Sequence, residues 1–186
     1  MVLSEFKPSQ SLMQFVRVYR VVHFVFDDIA KIPFKPYPPR PEHCLSFYPR
    51  DTETVEYIKT GAKINNLKTV LIGQQSEVTN RFVGKDFLVF QVVFNPGGLY
   101  RLTGIPSQQL NNCYFDAETV FQKDIKEVND KLNDALNFNE MVDVVESFLL
   151  NQIHKGVKEF HRLDQVSHLI LKADKILVII CKFDVF

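Results

Sequence analysis

Short apolar stretches separated by turn-forming residues occupy the first hundred positions of the chain. Six of these stretches span residues 14–27, 44–48, 54–59, 69–72, 77–83 and 87–94. They are rich in valine, isoleucine and aromatic residues, a composition typical of β-strands. Because no helical period intervenes, the pattern predicts an antiparallel β-barrel or β-sandwich.

Five prolines crowd the segment between residues 33 and 41. Proline has no backbone N–H and cannot donate a hydrogen bond to a neighbouring strand. We therefore expect an extended surface loop here. A polyproline ligand for another domain is the alternative interpretation.

Beyond residue 98 the apolar positions follow a helical period. Phe121, Ile125, Val128 and Leu132 recur at steps of four and three, and Asp116 is the predicted N-cap. This seam can pack on the sheet of its own chain or on the same helix of a second copy. In the second case the four residues are the predicted dimerisation contacts.

Two more helices are expected before the end of the chain. The first spans residues 140–154 with Asn139 as its cap, and the second spans 164–173 with Val166, Leu169 and Ile170 on one stripe. The apolar run in 175–186 reads as a buried strand or an adhesive tail. The predicted class is therefore α+β, with a cupin-like β-barrel or sandwich sensor domain at 1–106, a helical dimerisation or linker segment at 107–174 and an atypical tail at 175–186.

Charge and composition narrow the range of functions. Twenty-two basic and 22 acidic residues give a formal net charge of zero, whereas a protein that binds nucleic acid alone usually carries a basic excess. A chain with so little self-repulsion is expected to associate, and we predict a homodimer. The polar start and the lack of a long apolar run predict a cytoplasmic protein without a membrane segment.

The sequence offers little catalytic or metal-binding chemistry. The five histidines and three cysteines show no ligand spacing, and neither a Gly-x-Ser-x-Gly elbow nor a phosphate-binding loop occurs. We therefore expect no metal, no cofactor and no enzyme activity. A small acidic group, Asp51, Glu53 and Glu56, is expected to belong to a solvated loop.

One longer motif carries a family resemblance. The stretch DFLVFQVVFNPGGLYRLTGIP, residues 86–106, resembles a signature of the sensing domain of AraC-family transcription regulators. Residues 41–48 and 110–120 resemble the strand before that signature and the link after it, and the likeness extends over roughly 7–172. The resemblance implies a β-barrel that senses a small molecule and helices that pair two copies.

The end of the chain departs from that family. Residues 163–174 resemble the first helix of the family's DNA-binding module, but 175–186 do not continue into its paired helix-turn-helix motifs. DNA contact needs those motifs, so we expect DNA binding only in full-length relatives. The chain would then act as a regulator's sensing and dimerisation part, possessing no DNA-binding module of its own.

The resemblance also implies an effector pocket in the barrel interior or at its mouth. The candidate lining residues are aromatic side chains and a few polar groups: His23, Phe24, Phe47, Tyr48, Arg81, Phe90 and Phe94. A filled apolar core explains the phenylalanines equally well. The competing functions are a stand-alone, metal-free cupin-like binding protein and a truncated regulator that acts by pairing with full-length relatives.

Overall fold

A computed structural model describes residues 2–28, 32, 34–159 and 162–172. These residues form two antiparallel β-sheets and five α-helices. The predicted mixed α+β class is confirmed at this level.

The large sheet has six strands and separates the other two layers of the fold. Its strands are β1 (Val2–Phe6), β2 (Val16–Val25), β4 (Cys44–Phe47), β7 (Thr69–Ile72), β9 (Asp86–Phe94) and β10 (Tyr114–Asp116). They lie in the order β1-β2-β9-β4-β7-β10. The long strands β2 and β9 pair along most of their length at the centre of this sheet.

The small sheet has four strands and packs against one face of the large sheet. Its strands are β3 (Lys35–Tyr37), β5 (Glu53–Tyr57), β6 (Lys63–Ile64) and β8 (Thr79–Val83), in the order β3-β8-β5-β6. Among the described residues no strand pairing joins the two sheets. The barrel prediction is therefore wrong, because the edge strands β10 and β6 are only three and two residues long and do not extend the pairing across the gap.

The proline-rich segment is not wholly a loop. Lys35–Tyr37 pairs with β8, and Pro36 lies opposite Asn80. β3 is an edge strand, where a missing backbone N–H costs no pairing on the solvent side. The apolar pattern of the sequence does not indicate this strand for that reason, nor does it indicate β1, β6 or β10.

The helices cover the opposite face of the large sheet. They are α1 (Gly98–Thr103), α2 (Glu118–Phe121), α3 (Lys123–Asp134), α4 (Phe138–Lys155) and α5 (Arg162–Lys172). A 3-10 turn, Ser107–Leu110, follows α1. The Pro-Gly-Gly sequence leads directly into α1, whose C-cap is Gly104 with φ +73°.

Two helix boundaries differ from the sequence prediction. The seam does not lie on one continuous helix, since Gln122 (φ 51°, ψ −129°) separates α2 from α3. Asn139 is not the cap of α4. Asn137 caps it instead, and its side-chain oxygen accepts a 3.0 Å hydrogen bond from the backbone N–H of Glu140.

The predicted dimerisation seam is buried within its own chain. Phe121, Ile125, Val128 and Leu132 are 6% exposed or less and belong to one core with apolar residues of α4 and the large sheet. The amphipathic pattern therefore serves intrachain packing, which is one of the two alternatives that it left open. Pairing through these four side chains finds no support in this arrangement.

Helix α5 begins two residues earlier and ends one residue earlier than predicted. Its stripe of Val166, Leu169 and Ile170 is exposed, with relative solvent accessibilities of 50%, 67% and 44%. The tail prediction for 175–186 lies outside the described residues.

Candidate functional site

The seven predicted pocket residues do not converge on one place. Phe47, Phe90 and Phe94 lie on the face of the large sheet that the helices cover, here called the helix face. Phe24 and Tyr48 lie on the opposite, inter-sheet face, which the small sheet covers. His23 lies at the end of β2, where its Nε2 is 2.8 Å from Oδ1 of Asp86.

Arg81 is the centre of a buried polar cluster between the sheets. Its Nη1 donates hydrogen bonds to both carboxylate oxygens of Glu53, each at 3.2 Å, and its Nη2 donates to the hydroxyl of Tyr114. The guanidinium also stacks on the ring of Tyr37, with 3.8 Å between its carbon and the ring centre. Tyr48 completes the cluster by donating a 2.5 Å hydrogen bond to Glu53.

The charges of this cluster stabilise one another. Burial lowers the pKa of Arg81, but Glu53 and the neighbouring tyrosines together outweigh that effect, and the net shift is upward. Burial raises the pKa of Tyr48 well above its ordinary value, and the charge of Glu53 raises it further. At neutral pH the guanidinium of Arg81 is therefore charged and the flanking phenols of Tyr48 and Tyr114 are neutral.

A polar row crosses the inter-sheet face of the large sheet. Gln91 lies opposite Arg20 on one neighbouring strand and opposite Ser46 on the other. Arg20 donates a 3.0 Å hydrogen bond to the side-chain oxygen of Gln91, whose amide nitrogen donates a 3.2 Å bond to Oγ of Ser46. Three strands thus present hydrogen-bonding groups at the same level of an otherwise apolar face.

The polar row and the Arg81 cluster both lie between the two sheets. Ser46 lies between Cys44 and Tyr48 on the same side of its strand segment, because side chains alternate along a strand. Cys44 and Tyr48 belong to the core that the small sheet covers. We call the combined set the inter-sheet site: Arg20, Ser46, Tyr48, Glu53, Arg81, Gln91 and Tyr114.

The thiol of Cys44 is buried between the sheets, next to charged side chains. Burial raises the pKa of its thiol to about 12, with a further increase from the charge of Glu42. Arg20, Arg17 and Arg81 act in the opposite direction. The thiol is therefore protonated at neutral pH. It lies in a dry environment, where the charges of three arginines lower its pKa.

Two donors in the inter-sheet site have no acceptor among the described residues. Nε of Arg81 is buried without a hydrogen-bond partner. Ser46 is fully buried, and its hydroxyl oxygen accepts from Gln91 while its proton has no acceptor. Buried donors are nearly always paired in folded proteins, so this arrangement suits a bound group that supplies acceptor oxygens.

Sequence patterns identified only part of this site. Tyr48 and Arg81 were candidates, and the structure brings them together through Glu53. The prediction that Glu53 lies in a solvated loop is wrong, because Glu53 is buried with only 8% exposure. The sequence could have indicated Gln91 and Ser46 as site residues, since each is a single polar residue among apolar residues of its strand.

The surface of the helical layer carries two shallow grooves. The larger, of about 580 Å³, runs between α3 and α4 and is lined mainly by polar and charged side chains such as Lys123, Glu127, Lys131 and Asp143. The smaller, of about 470 Å³, lies beside α2. Neither includes a residue of the inter-sheet site.

Within residues 2–28, 34–159 and 162–172, no helix has the length and apolar character needed to cross a membrane. In the same ranges, no three histidine, cysteine or acidic side chains are close enough to hold a metal ion together. Cys44 and Cys113 are free thiols.

The part of the chain that forms the two sheets matches a known sequence family. The sequence model of a family described as "Domain of unknown function (DUF6597)" matches residues 4–116, more than half of the chain. The chain belongs to this family. The match extends from the middle of β1 to the last residue of β10, so the DUF6597 region contains nearly all of both sheets and the whole inter-sheet site. No curated protein matches the chain.

Proposed function

We propose that this chain is the sensing and dimerisation part of an AraC-type transcription regulator, with the inter-sheet site as its effector site. The observation that carries the proposal is the convergence of polar side chains from both sheets around Arg81, with buried donors left without acceptors. Ligand sites in proteins are mostly apolar with a few convergent polar groups, and this site has that character.

The site is connected to the helix that would lead into a DNA-binding module. β9 carries Gln91 and runs through the Pro-Gly-Gly turn into α1. Asp164 of α5 lies against that turn, since a Cβ atom placed on Gly97 would be 2.1 Å from its Oδ1. A change at the inter-sheet site therefore has a short route along β9 to α5. The proposal assigns no DNA contact to this chain, whose net charge is zero.

We assign pairing to the outer surfaces of α3 and α4, because the apolar seam is buried. The groove between these helices carries lysines beside acidic residues. In a twofold dimer the same patch faces itself, and a patch of mixed charge can match its own copy. Glu127 and Asp143 lie on this surface and are exposed.

The test is the mass of the purified chain in solution, measured by light scattering. We expect the wild type to be a dimer and the double variant Glu127→Arg, Asp143→Arg to be a folded monomer. Each chain of the variant carries two new arginines on this surface, so four positive charges would repel one another across the dimer interface. Asp130→Arg is the matched control, since Asp130 is exposed on α3 but does not line the groove. A dimer that survives in the double variant would contradict the assigned surface.

The burial of the seam favours a second candidate, a stand-alone small-molecule binding protein. Phe121, Ile125, Val128 and Leu132 are satisfied within one chain and need no second copy. A wild-type chain that stays monomeric in light scattering, with or without a bound ligand, would favour this function over the regulator.

A further inference from the structure

The break between α2 and α3 is held in a strained backbone conformation. Gln122 at this break has φ 51° and ψ −129°. Residues with a β-carbon rarely adopt such a positive φ, whereas glycine adopts it without steric cost. Strained positions persist only where the surrounding structure enforces them, and they are concentrated in segments with a functional role.

The local sequence does not require this break. Residues 118–134 contain neither glycine nor proline, and glutamine itself favours helix. The seam residues Phe121, Ile125, Val128 and Leu132 have the spacing of one face of a continuous helix. These four side chains would therefore stay on one side if α2 and α3 joined into a single helix.

Contacts with the rest of the protein hold the two helices apart. The backbone N–H of Ala117, which precedes α2, donates a 3.0 Å hydrogen bond to the carbonyl of Thr69 in the large sheet. At the start of α3, the carboxylate of Asp124 pairs with Lys155 of α4. The strained residue Gln122 therefore lies between two anchored ends.

The break also leaves hydrogen-bond donors without helical acceptors. The first N–H groups of α3, those of residues 123–125, have no acceptor within their own helix. The side chain of Gln122 supplies no capping hydrogen bond to them. In a continuous helix they would bond to the carbonyls of residues 119–121, so joining the helices gains hydrogen bonds and releases the strain.

We propose that Gln122 is a strained hinge at which α2 and α3 join into one helix, and that this change pulls on β10. β10 is a three-residue edge strand that leads into α2, and the hydroxyl of its Tyr114 accepts a hydrogen bond from Arg81. The hinge thereby links the inter-sheet site to the α3 surface to which we assign pairing. This regulatory role rests on the proposed function, whereas the strained hinge does not.

The first test compares glycine and valine at position 122 with the same pair at position 130. Glycine relieves a positive φ, whereas a β-branched side chain increases the strain. Gln122→Gly should therefore unfold at a higher temperature than Gln122→Val. Asp130 is the matched control, exposed within α3, where valine favours helix more than glycine does. Asp130→Gly should accordingly unfold at a lower temperature than Asp130→Val.

The second test follows hydrogen exchange of the backbone amides of residues 123 and 124 by NMR. Gln122→Val should slow their exchange roughly tenfold or more, because the joined helix supplies acceptors for both N–H groups. Gln122→Gly should leave their exchange as fast as in the wild type. Tyr114→Phe removes the bond to Arg81 and should also slow exchange. Tyr48→Phe is its control, since the hydroxyl of Tyr48 bonds to Glu53 and not to β10.

The same order of glycine and valine at positions 122 and 130 would overturn the hinge. Fast exchange of residues 123 and 124 in a natively folded Gln122→Val chain would also overturn it. If Gln122→Val does not fold, Gln122→Gly still tests the strain, because it should unfold no lower than the wild type. Equal exchange in Tyr114→Phe and Tyr48→Phe would contradict the link to the inter-sheet site.

Light scattering on the same samples separates these outcomes from failure of the regulator proposal. A monomeric wild type with the reversed order at position 122 supports the hinge and contradicts the regulator. A dimer with the same order at both positions supports the regulator and contradicts the hinge.

Discussion

At the scale of single residues, Arg81 and Glu53 depend on each other. Arg81 has a side chain only 13% exposed and Glu53 one only 6% exposed, so both charges lie largely out of water. Removing one partner of a buried ion pair leaves the other charge uncompensated, which is far more destabilising than losing a surface pair. The hydroxyl of Tyr48 also loses its acceptor if Glu53 changes.

Glu53→Gln should lower the free energy of unfolding by roughly 3 kcal/mol, because it keeps the shape of the side chain but strands the Arg81 charge. Urea unfolding followed by circular dichroism would measure the change. Glu56→Gln is the matched control on the same strand. Glu56 lies on the other side of β5 and pairs with Lys63, an exposed lysine, so little change is expected. Equal effects of the two substitutions would show that Arg81 does not need its partner.

Residue-level chemistry was only partly predictable from the sequence. Arg81 and Tyr48 stand out as polar residues next to strands of apolar side chains. Their contact with Glu53 depends on the pairing of β5 with β8, which places Val55 opposite Arg81 and so brings Glu53 within reach. Register between strands is a property of the folded sheet, and one sequence does not specify which acidic residue meets which arginine.

At the scale of elements, the helices show where local signals suffice. The one-sided period over 121–132 indicated correctly that those positions share a buried side, yet it could not reveal the break at Gln122. That residue has φ 51° and ψ −129°, a conformation that no simple pattern predicts. The start of α4 was misplaced by two residues because two asparagines, Asn137 and Asn139, both suit a cap.

Asn137→Ala should lower the free energy of unfolding by about 1 kcal/mol, the usual effect of losing a side-chain N-cap. The reason is the 3.0 Å hydrogen bond that Oδ1 of Asn137 accepts from the N–H of Glu140. Thermal and urea unfolding would both report the loss.

Asn139→Ala provides the comparison, since Asn139 is exposed and lies inside α4. Alanine favours helix more than asparagine does, so this variant should be unchanged or slightly more stable. A larger loss in Asn139→Ala than in Asn137→Ala would move the cap back to the position that the sequence suggested.

At the scale of the whole molecule, α1 joins the sheets to the end of the chain. Arg101 of α1 is buried, lies 4.2 Å from the centre of the Phe15 ring and donates a 3.2 Å hydrogen bond to Gln14. Its backbone oxygen accepts a 2.8 Å bond from the N–H of Lys158 in the segment before α5. This contact is long-range, so no periodicity in the sequence encodes it.

The close approach of α5 to α1 depends on glycine at position 97. Gly97 has φ +77°, and a Cβ there would lie 2.1 Å from Oδ1 of Asp164. Gly97→Ala should therefore displace α5 and free the backbone around Lys158, which is hydrogen-bonded to Arg101, for cleavage by trypsin. Gly61→Ala isolates the backbone effect, because Gly61 has a similar φ of +67° with nothing within 4 Å of an added Cβ.

Both alanine variants should lose about 1 kcal/mol of stability through the left-handed backbone conformation alone. Only Gly97→Ala should also speed tryptic cleavage between α4 and α5, measured by mass spectrometry of the fragments under native conditions. If the two variants are cleaved equally fast, α5 is not held at the Pro-Gly-Gly turn. The route from the inter-sheet site along β9 to the end of the chain would then lose its last step, and with it the structural basis for signalling in the regulator proposal.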